Sequence, residues 1–322
     1  MPIAADFEVA PMTTWWELEV TSRTTAADGV VVLKLAKPDR VMLPEWAPGA
    51  HIELDLGPEL RRSYSLCGEP ADRHTWTVAV LREVAGRGGS RHIHDHVTVG
   101  QRLRVNGPHH AFPMEPAPGY LFIAGGIGIT PILPMVQQAE RTGTPWRLLY
   151  GGRSARSMAF VDELRRYGTR VSVLPQDEHG LLPLGAALAE SSSDTAVYAC
   201  GPGPLLSALR KLCERASREL HLEYFAPPAS QYGDETFEVE LASTGQVLAV
   251  PADGSILSTL EEAGVPLLSS CRTGACGTCA IAVIEGQPDH RDSILTAEEK
   301  ASNTYVITCV SRAKSPRLVL DC

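Results

Sequence analysis

The chain has 322 residues, 44% hydrophobic and 21% charged, with a net charge of −9 and a pI near 5.6. This is the composition of a globular chain of two or three domains, and it lacks the basic face that nucleic-acid binding requires. No run approaches the roughly 18 consecutive apolar residues of a membrane span, and the first twenty residues, with Asp6, Glu8, Glu17 and Glu19, do not form a signal-peptide pattern. A cytoplasmic protein without membrane or nucleic-acid partners is expected.

From Trp15 to Ala111 the pattern is all-β. Short alternating runs at Trp16–Ser22, Val30–Ala36, His51–Leu56, Ser63–Cys67, Trp76–Arg82 and Arg102–Asn106 are separated by turn formers such as Asp28-Gly29 and Pro48-Gly49. Six strands at this spacing predict a small antiparallel barrel or sandwich. His92, His94 and His96 fall on alternate positions, which predicts one face of a strand; no thiol or carboxylate is placed to complete a metal shell, so a structural or solvated role is expected. His109-His110 reads as loop.

The period changes near Gly119. Strands at Tyr120–Ala124, Trp146–Tyr150, Arg170–Pro175, Thr195–Cys200 and His221–Phe225 alternate with helices ending near Arg141 and spanning Ser157–Tyr167, Leu184–Glu190 and Pro204–Ser217. That alternation predicts a doubly wound parallel sheet. Arg165 and Arg166 read as the exposed face of their helix. Ala226–Gly233 has linker composition. Beyond it Phe237–Leu241 and Val247–Val250 read as a hairpin, Ser255–Glu262 as a short helix, and Ala280–Ile284 and Tyr305–Cys309 as strands. The expected domains are 1–112, 113–227 and 236–322, joined at 228–235.

Eight cysteines without a secretion signal do not make a disulfide framework. Cys271, Cys276, Cys279 and Cys309 instead fit C-x4-C-x2-C…C, the spacing of a plant-type 2Fe–2S site. Two irons need four thiolates from one tight loop and one distant strand, and Gly274 and Gly277 allow backbone N–H groups to turn toward the sulfurs. Zinc is the rival, but its sites usually present two C-x2-C halves, and only one is here. Cys322 lies outside the spacing.

With these cysteines in place, the chain resembles the phthalate dioxygenase reductase family along nearly its whole length. His290-Arg291-Asp292-Ser293 and Cys309-Val310-Ser311-Arg312-Ala313 are similar to segments of that family's ferredoxin domain. The resemblance implies an antiparallel flavin-binding β-barrel, a doubly wound parallel nucleotide-binding domain and a C-terminal β-grasp ferredoxin domain. It also implies FMN, NADH or NADPH and a 2Fe–2S cluster as cofactors.

Arg62-Ser63-Tyr64-Ser65 matches R-x-Y-S, the flavin motif of the ferredoxin–NADP reductase superfamily. A guanidinium at Arg62 suits a phosphate, the Tyr64 ring can pack on the flavin, and Ser65 can hydrogen-bond near its reactive N5 edge. Gly86, Arg87, Gly88, Gly89 and Ser90 offer a backbone that can approach a phosphate. In relatives this segment closes over FMN, and Ala79, Val80 and Leu81 correspond to the strand bordering the ring. FMN is therefore favoured over FAD.

Gly125, Gly126, Gly128 and Thr130 follow a predicted strand and open a helix, where N–H groups and the dipole favour a pyrophosphate. Cys200-Gly201-Pro202 resembles the family's C-G-P turn, which sets a thiol beside the nicotinamide, and Phe225 matches an aromatic residue near the flavin. Arg153, Ser154 and Arg156 follow the second strand of this domain, where arginines and serines suit a 2′-phosphate. Acceptance of NADPH is thus expected, although relatives mostly use NADH.

The residues expected at the reacting atoms are Ser65, Thr130, Cys200 and Phe225. Nicotinamides move electron pairs and iron–sulfur clusters single electrons; a flavin bridges them. Hydride transfer itself calls for no general acid or base. The reading is a monomeric reductase component serving a terminal oxygenase of Rieske non-haem iron type. The alternatives are a thiolate-haem monooxygenase partner, to whose fused reductases Tyr150–Ser154 and Ser157–Leu164 are similar, or a non-enzymatic redox sensor. From Thr236 onward eleven acidic and six basic residues leave about −5 for docking on a basic surface.

Overall fold

The computed structural model describes residues 15–57, 60–84, 88–225, 235–269, 272, 274, 277–292 and 294–322. Six antiparallel strands come first: β1 (Trp15–Ala27), β2 (Val30–Ala36), β3 (Ala50–Asp55), β4 (Arg61–Ser65), β5 (Trp76–Leu81) and β6 (Arg102–His110). Their order is β4-β3-β6-β1-β2-β5. The two edges meet at a bridge between Leu66 and Val78, extended by Cys67 N–H donating to the Thr77 carbonyl at 2.9 Å, which curls the sheet into a barrel. Alternation puts Leu18, Val20, Ile52 and Leu54 inside, around the fully buried Trp76.

Two local expectations are corrected here. His92, His94 and His96 lie not on a strand but on a helix, α1 (Gly89–His96). Gly88, left-handed at φ 89, starts it, and Ile93 anchors it in the barrel core. The helical spacing brings the His92 and His96 rings to 5.1 Å, while His94 Nε2 lies 2.9 Å from the Val80 carbonyl oxygen. His109-His110 is not loop but the end of β6, opposite His51 and Ala50.

The middle of the chain forms a parallel sheet of β7 (Tyr120–Gly125), β8 (Trp146–Gly152), β9 (Val171–Pro175), β10 (Ala196–Cys200) and β11 (Leu220–Glu223), ordered β11-β10-β7-β8-β9. Helices cover both faces: α2 (Ile129–Thr142), α3 (Val161–Arg165), α4 (Gln176–His179), α5 (Leu184–Ala189) and α6 (Gly203–Arg215). Strand β7 is buried throughout; Tyr120, Phe122 and Ala124 enter one core layer and Leu121 and Ile123 the other. The helix predicted over Ser157–Tyr167 is reduced to α3, because the chain turns left-handed at Phe160, φ 61. A seam of short side chains (Val30, Val32, Cys67, Ala79 and Ala159) joins this unit to the barrel, with Asp28 N–H donating to the Arg156 carbonyl at 2.8 Å.

Most of the expected linker, 228–234, lies outside the described residues. The last unit contains β12 (Phe237–Leu241), β13 (Val247–Val250), α7 (Ile256–Glu262), β14 (Ala280–Glu285), β15 (Pro288–Asp289), α8 (Ala297–Ser302), β16 (Tyr305–Ile307), β17 (Arg312–Ala313) and β18 (Arg317–Leu320). Its main sheet runs β13-β12-β18-β14-β16, with β18 parallel to β12. A helix packed on such a mixed sheet is the expected β-grasp arrangement; Ser255 caps that helix by accepting from Ser258 N–H. Arg312, 2% exposed, donates to the carbonyls of Glu235, Pro251 and Gly254 at 2.7, 3.1 and 2.6 Å and lies over the Phe237 ring.

Candidate electron-transfer site

Arg62, Ser63, Tyr64 and Ser65 lie on β4, as the motif requires. The Arg62 side chain runs across the start of α1: a methyl at Gly89 would overlap its Cγ and stand 2.9 Å from its Nε. A guanidinium is thus held against free N–H groups at a helix start, with no acidic residue in the first turn. That donor set fits a flavin phosphate. Burial depresses the Arg62 guanidinium below its ordinary value; Tyr64 opposes this, and the positive charge of Arg272, from the cysteine loop, adds to it. A dianion between these cations would offset that cost.

Gly86 and Arg87 lie outside the described residues. Gly88 caps α1, and Ser90 Oγ accepts from Glu83 N–H at 3.0 Å, tying the segment back to the chain leaving β5. Ala79 is in the seam between barrel and parallel sheet, Val80 is in the barrel core, and Leu81 is half-buried beside the seam.

The nucleotide turn differs from its sequence reading in one respect. A methyl at Gly125 would come 2.7 Å from Pro202 Cδ, and one at Gly128 would overlap the Cys200 carbonyl oxygen. Gly201 approaches Gly125 equally closely, at 3.0 Å from the place a methyl would occupy. These three glycines therefore lock two βα turns together. Gly126, at φ 57 with nothing within 4 Å of a methyl, is the one that opens onto free space. A 3₁₀ turn at Gly126–Gly128 precedes α2. Thr130 is buried and its hydroxyl donates to the Ile127 carbonyl at 3.0 Å, which shapes this turn.

Cys200 is fully buried at the end of β10, opposite Glu223 on β11. Burial, and then the Glu223 charge, raise its thiol well above the usual cysteine range, so it remains a thiol. Pro202 caps α6, and Phe225, 44% exposed, follows β11. At the end of β8, Arg153 and Arg156 are exposed on either side of Ser154, whose hydroxyl lies 3.4 Å from Ser157 Oγ.

Cys271 and Cys276 lie outside the described residues. Cys279 and Cys309 are buried in one apolar cluster with Leu257, Ile307 and Val310. They are brought together by β14 and β16, which pair Ala280 with Ile307, and by Thr308, whose hydroxyl and N–H both donate to the Cys279 carbonyl, at 2.9 and 3.3 Å. Within the loop, Gly274 has φ +77, and a methyl there would stand 2.6 Å from Val310 Cγ2. One buried thiol from a tight, glycine-dependent loop and one from the chain after β16 fit a cluster held by thiolates.

His51 reads in sequence simply as the first residue of a strand. It is 5% exposed, beside Ser65.

Two sequence families match. The 2Fe–2S iron–sulfur cluster binding domain matches residues 239–314, and the oxidoreductase NAD-binding domain matches residues 122–211. The chain is 41% identical to phenoxybenzoate dioxygenase subunit beta of Ectopseudomonas oleovorans over 94% of its length and 96% of that protein's. It is 38% identical to the vanillate O-demethylase oxidoreductase of Pseudomonas sp., covering 95% and 99%. Among solved structures, phthalate dioxygenase reductase superposes with a TM-score of 0.71 at 34% identity, covering 96% of this chain and 98% of that one. An intact type IV self-sufficient cytochrome P450 monooxygenase gives 0.76 at 39% identity; the match covers 96% of this chain but only 41% of that one.

Proposed function

The chain belongs to the phthalate dioxygenase reductase family, and from that premise we propose the assignment of its site residues and of its partner. As a member it is an oxidoreductase, a reductase component of oxygenase systems, with FMN, a pyridine nucleotide and a 2Fe–2S cluster as cofactors. When bound, the flavin takes a hydride and passes electrons on singly. In the proposed assignment Arg62 and the start of α1 hold the phosphate, Tyr64 packs on the ring, and Ser65 donates to its edge. Gly126 admits the pyrophosphate, Cys200 borders the nicotinamide, and Phe225 lies near the flavin. Cys271, Cys276, Cys279 and Cys309 hold the irons. The domain limits are 1–112, 113–227 and 236–322.

The observation that carries this reading is the Arg62 guanidinium laid across the helix start at Gly89, with the buried Cys279 and Cys309 in the same chain. The test is a visible spectrum with identification of the flavin released on denaturation. FMN with about two irons per chain is expected; a zinc-loaded or FAD-containing protein would overturn it.

The partner we propose is a Rieske-type non-haem iron oxygenase acting on an aromatic or methoxylated compound. Its support is similarity to proteins named as a dioxygenase subunit and an O-demethylase oxidoreductase. A thiolate-haem monooxygenase is the second reading, favoured by the P450 superposition. Reconstitution with each class separates them. The ferredoxin unit's eleven acidic and six basic residues predict coupling rates that fall as salt rises.

A further inference from the structure

Helix α1 separates one of its three histidines from the other two. On a strand, residues spaced by two share a face; on a helix, residues four apart do. His94 is turned to the barrel, its Nε2 2.9 Å from the Val80 carbonyl oxygen, and its own carbonyl accepts from Arg23 at 2.8 Å. His92 and His96 stand together instead, with ring centres 5.1 Å apart and planes inclined by 55°. His92 is half-buried, His96 is exposed, and neither ring has a hydrogen-bond partner among the described residues.

That spacing suits a shared ion. A metal about 2.0–2.1 Å from one nitrogen of each imidazole, with bonds at roughly 90–110° to each other, sets the ring centres about 4.5–5.2 Å apart. Two histidines four apart on one helix face are a known way of presenting such nitrogens. We propose that His92 and His96 form a site for a divalent cation that prefers imidazole, zinc or copper(II), and that the bound ion ties the last turn of α1 to the turn before it. Asp95 lies on the same turn, but Arg82 holds both of its oxygens, at 2.6 and 3.1 Å. No third histidine, thiol or carboxylate joins the pair among the described residues. The remaining positions are left to water, which makes the site open and exchangeable, unlike a structural site with four protein ligands.

The tie reaches the flavin cradle. Helix α1 is eight residues long, and its first residue, Gly89, is where the Arg62 side chain crosses. A helix this short is marginal by itself. Ile93 in the barrel core, Arg23 and the Arg82–Asp95 pair hold its later part. An ion across His92 and His96 stiffens the whole helix, so its start loses less freedom when it receives a phosphate. This coupling rests on the proposed placement of the flavin phosphate at α1; the metal site does not.

The test uses the tag-free, full-length protein loaded with flavin and cluster. In the oxidised state both are silent in electron spin resonance, so added copper(II) gives the signal. One equivalent should show splitting by two nitrogens, and zinc should displace it. Affinity should fall about tenfold or more in H92A and in H96A. Zinc should slow FMN release by about fivefold or more, and not in the H92A/H96A double variant. Copper held no more tightly by the parent than by the double variant, or through one nitrogen, leaves a plain ring contact and overturns the site. FMN release indifferent to zinc at a saturated site overturns the tie, where Arg62→Ala still speeds release. Release unchanged by Arg62→Ala as well removes the placement of the phosphate itself.

Discussion

Gly128 and Cys200 meet backbone to backbone: the space for a methyl on Gly128 is already filled by the Cys200 carbonyl oxygen. Neither partner is a flexible side-chain end, so the clash cannot be relieved by a rotamer change. Gly128→Ala should destabilise the protein by about 1–3 kcal/mol and weaken nucleotide binding, as the two turns separate. Thermal unfolding and nucleotide titration check this. Gly126→Ala, where a methyl meets nothing within 4 Å, should retain packing and be penalised only for its left-handed backbone.

The cluster loop supplies a second substitution. At Gly274→Ala the methyl would stand 2.6 Å from Val310 Cγ2, at φ +77. A cost of about 1–3 kcal/mol falls on the loop that carries three of the four proposed thiolates, Cys271, Cys276 and Cys279. The expected result is a flavin-containing protein with sharply reduced iron and sulfide, read by metal analysis and by the visible spectrum.

Much of this architecture was legible where one period persisted. Val30–Ala36 and Phe237–Leu241 match the predicted strands residue for residue, because the first is a β-branched apolar run and the second alternates without a break, and turn formers flank both. The His92, His94 and His96 segment misled, since three residues spaced by two also fit a helix, and the deciding feature, Gly88 in a left-handed start, is conformational. Strand β18 escaped because four residues become a strand only through pairing with β12, 79 positions away at Glu238–Arg317. At the site, residue types pointed to the chemistry, but not to which glycines face a ligand. Gly125, Gly128 and Gly201 are spent on packing, and only the folded chain distinguishes them from Gly126.

Stability should fall at both ends of the pH range for identifiable reasons. His51 is depressed from 6.5 to about 3 by burial, so the unfolded chain takes up the proton first. Its contribution is present above pH 6.5 and is lost as pH falls toward 3. Cys67 is raised from 9.0 to about 12 by burial, so its contribution is present below pH 9.0 and is lost as pH rises toward 12. Chemical denaturation across pH should show both limbs. H51F should flatten the acid limb and Cys67→Ala the alkaline one.

Nucleotide choice is testable at the end of β8. If Arg153 and Arg156 receive a 2′-phosphate, replacing both by Gln should lower kcat/KM for NADPH by about 10–100-fold. The value for NADH should remain within about threefold. An NADPH efficiency unchanged in the double variant would show that these cations are not the discriminator.

Arg312 joins the start of the ferredoxin unit at Glu235 to the Pro251–Gly254 turn, three residues beyond Cys309. Elsewhere in biology a cystine often makes such a tie. A module that carries electrons would expose such a staple to reduction by its own cargo, whereas a guanidinium bonded to three carbonyls has no redox chemistry. The clamp next to the current is thus made of a material the current cannot corrode.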